Sequence, residues 1–141
     1  MRAITNEFVR VAPDCPVTAA VVPAARGGRP TVAVVEYELL IARPYRLTRE
    51  DLIFETHVRR SGMSTGEAAA RGPEIRAELF ARPRACMRAS ALPKRYGWGV
   101  HYDGGGRLAL YAMESADYRR FAEGTVDGVK VVPAMRSRRA G

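Results

Sequence analysis

A chain of 141 residues, 47% hydrophobic and 27% charged, has the length and composition of one globular domain, which argues against both disorder and two full domains. Its apolar runs fall short of the roughly 18 residues of a membrane span, and the N-terminus lacks the apolar core of a secretion signal, so no membrane partner is expected. The formal charge of +8 is uneven: Arg82, Arg84, Arg88, Lys94 and Arg95 lie in one acid-free stretch between Glu78 and Asp103, and Lys130, Arg136, Arg138 and Arg139 follow Asp127 in another. The rest of the chain is close to neutral, and a localised positive field attracts anions of any kind.

Taken in order, Glu7 to Val11 alternates weakly and ends at Ala12-Pro13, which predicts a short first strand. Asp14-Cys15-Pro16 is a turn, and Val17 to Pro30, with Pro23 and Gly27-Gly28, is a connecting loop. Thr31 to Ile41 predicts the strongest strand of the chain. It is rich in β-branched residues, and Ala33, Val35, Tyr37, Leu39 and Ile41 fall on one face at period two. Glu36 and Glu38 interrupt the other face.

Thr48 followed by Glu50 and Asp51 opens a helix that should run to about Arg60 and stop before Gly62. Ser64-Thr65-Gly66-Glu67 is a capping box for a second helix, which Gly72-Pro73 should break or kink before Glu74 to Ala81 resumes. Arg82 to Pro93 reads as an irregular connection. Lys94 to Met113 then reads as two strands joined by the turn Asp103-Gly104-Gly105-Gly106. Tyr96, Trp98, Val100 and Tyr102 point one way, and Gly97, Gly99 and His101 the other. Paired glycines on one face of a strand mark close approach by a backbone, a ring or a ligand. Ser115 caps a helix over Ala116 to Glu123, and Val129 to Val132 is a last strand.

The expected fold class is therefore α+β, with an antiparallel or mixed sheet, helices on one side and the order β-β-α-α-β-β-α-β. One domain over 1–135 carries a basic tail over 136–141 that should be mobile unless an anion orders it. Two cysteines are too few for a disulfide framework and lack zinc-ligand spacing, so the cytoplasm is the expected compartment.

Asp14-Cys15-Pro16-Val17-Thr18-Ala19, Pro44-Tyr45, Lys94-Arg95-Tyr96-Gly97-Trp98-Gly99-Val100-His101 and Ala134-Met135-Arg136-Ser137 carry a resemblance. On these stretches the chain resembles an uncharacterised family of small bacterial proteins grouped as a domain of unknown function, from about Asn6 to Arg138. It departs from the family around Ser64 to Pro73, where the family's helix is uninterrupted. The resemblance implies no known activity and carries over no catalytic residue.

The leading functional expectation is a binding module for an anionic small molecule or nucleotide-like ligand at a basic-aromatic site of Arg88, Lys94, Arg95, Trp98, His101 and Arg136. Arginine offers a bidentate fork, and the indole offers a stacking surface. The same aromatics at period two also suit a core face, with the cations solvated beside them. Nucleic acid is admitted as a partner by charge alone, with no recognised binding motif. Two other readings stand beside this one. Cys86, between Arg84 and Arg88, could be a nucleophile with His101 or His57 as base. Alternatively, the domain could dimerise through a sheet edge. Glu36, Glu38, His57 and His101 lack a metal-ligand spacing, so no metal and no cofactor are expected. Gly104-Gly105-Gly106 joins two strands with no helix after it, which makes it a turn and not a phosphate loop.

Overall fold

The structure, a computed structural model, describes residues 3–25 and 27–138. The elements are β1 (Glu7–Arg10), α1 (Val32–Ala42), α2 (Arg49–Ser61), α3 (Thr65–Leu79), a 3-10 turn (Met87–Ala89), α4 (Ala91–Arg95), β2 (Trp98–Tyr102), β3 (Leu108–Ala112), α5 (Ala116–Ala122) and β4 (Lys130–Pro133). The class is α+β, as expected, and the sheet is mixed, in the order β3-β2-β1-β4. β1 pairs antiparallel with β2 and parallel with β4, and β2 pairs antiparallel with β3.

Side-chain alternation along these strands gives the sheet two apolar faces. One presents Val9, Val100, Tyr102 and Leu108 to Val35, Leu39 and Leu40 of α1, Leu52 of α2, Met87 of the 3-10 turn and Leu92 of α4. The other presents Phe8 to Tyr118 and Phe121 of α5, with Phe8 and Phe121 stacked at 4.9 Å. Helices therefore cover both faces, and the one-sided arrangement expected from sequence holds for all but α5. Helix α3 forms an outer layer, packing Ile75 and Leu79 on Phe54 of α2.

The expected strand Thr31–Ile41 is instead α1, which puts four α-helices between β1 and β2. Thr31 caps it by accepting the Val34 N–H at 3.3 Å. The stretch is apolar on nearly every side, so it satisfies period two and period 3.6 alike, and its length of 11 residues favours a helix. Burial against the sheet and α2 overrides the β-propensity of its valines.

The predicted break at Gly72-Pro73 is absent, because α3 runs through both residues. Proline costs a helix one N–H bond and crowds the carbonyl four residues back, and Gly72, with no Cβ, removes the added clash with the preceding side chain. Gly72 also lies against the Phe54 ring, where an added Cβ would sit 3.8 Å from Cζ. The flanking helix α2 matches its expected start and stop, with a full capping box at Thr48 and Asp51 and a left-handed Gly62 at its end. Arg82–Pro93 is less irregular than expected, since it holds the 3-10 turn and the start of α4. Lys94 and Arg95 form the last turn of α4 and lie before the hairpin.

Candidate functional site

The six residues singled out from sequence fall into separate environments. Arg88, Lys94, Arg95 and Arg136 lie on neighbouring segments. Arg88 Nε donates to the Pro133 carbonyl at 2.7 Å, and Met135 N–H donates to the Arg88 carbonyl at 2.8 Å. Trp98, however, is engaged internally: its Nε1 donates to the Val21 carbonyl at 2.9 Å, and its ring rests 5.3 Å from that of Tyr37. His101 faces the other side of the sheet. Its Nδ1 shares a 2.9 Å hydrogen bond with the Tyr45 hydroxyl, and its ring lies 4.4 Å from Phe121. Tyr45 bonds in turn to the Tyr111 hydroxyl. Burial lowers the His101 pKa, so the ring is held neutral. Trp98 and His101 thus do not share one pocket.

The basic tail is described as far as Arg138, and Arg139 to Gly141 lie outside the described residues. The anionic group it meets belongs to the chain itself. Asp14 Oδ2 accepts the Ser137 N–H at 2.9 Å and the Arg138 N–H at 3.0 Å. Those bonds, with Arg136 nearby, lower the Asp14 pKa against an opposing contribution from burial. Ala12 N–H donates to the Pro93 carbonyl at 2.9 Å, which brings this loop onto α4. Three of the stretches that carry the family resemblance therefore meet in space.

A cleft of about 760 Å³ opens elsewhere, between the N-terminal segment Ala3–Thr5, the first turn of α2, the Pro83–Cys86 segment and the hairpin turn. Such a volume suits a small molecule. Arg49 forms one wall, held by three groups: Nη1 meets Glu36 Oε2 at 2.9 Å and Met87 Sδ at 3.2 Å, while Nε donates to the Ala85 carbonyl at 3.1 Å. Its Nη2 takes none of these bonds. Glu36 is buried, and its second oxygen accepts the Ser90 hydroxyl at 2.7 Å. Tyr102, 1% exposed, also lines the cleft. Its hydroxyl accepts the Met87 N–H at 3.0 Å, and burial pushes its pKa up to about 12, so the phenol keeps a proton to donate. Arg84 and Lys130 line the cleft opposite in charge to Glu7 and Glu50.

Sequence reading missed Arg49 and Tyr102 as site residues and weighed Glu36 only as a metal ligand. The available signal was Glu36, a carboxylate within a long apolar run, which a buried position obliges to find a cation.

Cys86 lines the same cleft. Its two proposed bases are placed unfavourably: His101 projects from the opposite sheet face and is bonded to Tyr45, and His57 is exposed on α2. Cys15 packs against the main core. Two of the residues weighed for a metal are also paired apart, Glu36 inward to Arg49 and Glu38 outward, 3.9 Å from Arg59. Neither sheet edge offers a long free ladder. Tyr45 and Leu47 bond to Leu108 at the β3 edge, and β4 is short and ends in Pro133.

The sequence profile of a family of unknown function, DUF6157, matches residues 2–140. No curated protein and no solved structure matches the chain. Among the described residues no helix is long and apolar enough to cross a membrane.

Proposed function

We propose that this chain, which belongs to that family of unknown function, is a binding module for a small molecule bearing an anionic group, seated in the cleft beside Arg49. The observation that carries the reading is the guanidinium of Arg49, fixed at the cleft wall by Glu36 and the Ala85 carbonyl with Nη2 left over. An arginine oriented in advance loses little entropy when an anion arrives. The ligand's acidic group would take Arg49 Nη2 and the Tyr102 hydroxyl, with Arg84 and Lys130 adding attraction at longer range. Glu7 and Glu50 favour a ligand whose remainder is polar or cationic over a densely charged polyanion.

Cys86 serves as a built-in reporter. Iodoacetamide alkylation of Cys86, followed by peptide mass spectrometry with Cys15 as internal reference, should slow in the presence of a nucleoside monophosphate, phosphoethanolamine or a small amino acid. A Cys86 rate unmoved by all of these probes contradicts the reading. The same experiment bears on the alternative of a nucleophilic Cys86, which requires alkylation faster than that of a free thiol.

A further inference from the structure

Five cations outside the cleft, Arg88, Lys94, Arg95, Arg136 and Arg138, lie on neighbouring segments that backbone contacts join. Arg88 precedes α4 and is joined to the β4 end by the two bonds it makes with Pro133 and Met135. Lys94 and Arg95 close α4. The loop at Ala12 is tied to Pro93, and two residues on, Asp14 holds Ser137 and Arg138. The two acid-free stretches, remote in sequence, thus become neighbours, and Arg136 and Arg138 are exposed on a segment of fixed course. Acids near this face do not cancel it fully. Asp14 and Glu114 accept backbone N–H groups and keep their charge, so two carboxylates stand against five cations and the balance stays positive.

We propose that this face docks the sugar-phosphate backbone of a nucleic acid. Four of its five cations (Arg88, Arg95, Arg136, Arg138) are arginines, whose forks match phosphate oxygens, and Lys94 adds a point charge. The indole of Trp98 and the ring of His101, committed to internal bonds, are not offered to bases, so the contact is to phosphates and carries no sequence preference. Met135, 51% exposed between the tail and Arg88, offers apolar surface to a sugar. The observation is independent of the cleft, and so is its test.

Fluorescence anisotropy of a labelled mixed-sequence oligonucleotide, single-stranded and duplex, should show binding at about 50 mM KCl that weakens linearly in log–log form towards about 200 mM. The triple variant R95Q/R136Q/R138Q removes exposed charge without touching the core, and should lower the single-strand salt slope by about 2, at about 0.7 per phosphate contact. The variant R84Q/K130Q, at the cleft, should bind as the unaltered chain does. No binding at about 50 mM KCl, or a triple variant with an unchanged slope, overturns the proposal. So does binding to vesicles of mixed anionic and neutral phospholipid in the absence of any binding to the oligonucleotide.

Discussion

Glu36 and Arg49 meet at 2.9 Å where α1 and the start of α2 face the 3-10 turn, with the carboxylate almost fully buried and the guanidinium on the wall of the cleft. Such a pair stabilises little against an apolar substitute, but removing one partner strands a charge in a low-dielectric interior. Glu36→Ala should therefore cost about 3–5 kcal/mol in urea unfolding. Replacing both partners, Glu36→Leu with Arg49→Met, should recover much of that loss. A single-variant cost below about 1 kcal/mol would mean that water reaches Arg49 freely.

Asp14 gives the tail its course, so Asp14→Ala should speed hydrogen exchange at the Ser137 and Arg138 amides while leaving β1 and β2 protected. The Asp14 pKa is depressed in the folded chain from 3.8, so its contribution is complete above that value and lost as the pH falls through the lower folded value. The Ser137 amide resonance should therefore titrate below pH 3.8. Titration at or above that value would show that the tail gains nothing from the carboxylate.

Gly99 is a second point of tight tolerance. A Cβ there would lie 2.5 Å from Phe8 Cζ and 2.6 Å from the Tyr118 ring, both in the core beneath α5. Gly99→Ala should destabilise by about 1–3 kcal/mol, read as a lowered urea midpoint at constant m-value. An unchanged midpoint would place the aromatic pair further from β2 than described.

Stability should also fall on mild acidification. The folded His101 pKa lies below 6.5 because of burial, so the unfolded chain binds the extra proton first as the pH drops through 6.5. Urea midpoints from about pH 7.5 to about pH 5.5 should decline, and His101→Gln should flatten that part of the profile. A decline of equal size in the variant would assign the effect to other groups.

What the sequence made legible follows from local chemistry. The limits of α2, the Ser64 cap, the Asp103 turn and the alternation along β2 were all readable, because each rests on residues adjacent in the chain. The helix α1 was misread because a stretch apolar on all sides has no periodicity to report. The cleft was illegible because Glu36, Arg49 and Tyr102 come from three elements and meet only through tertiary packing. Clustering of the Arg88–Arg95 stretch with the tail was expected, but the bond from Asp14 that anchors the tail was not. Trp98 and His101 were grouped because they are close in sequence, although odd and even positions of a strand face opposite ways.

The most direct test of the cleft reading is an NMR titration that follows the Arg49 Nε–H signal alongside the backbone amides. Added nucleoside monophosphate or phosphoethanolamine should move Arg49 Nε–H and the Met87 amide saturably, since Met87 N–H rests on the Tyr102 hydroxyl that would meet the anion. Shifts confined to Arg88–Arg95 and Arg136–Arg138, with Arg49 and Met87 unmoved, would contradict it.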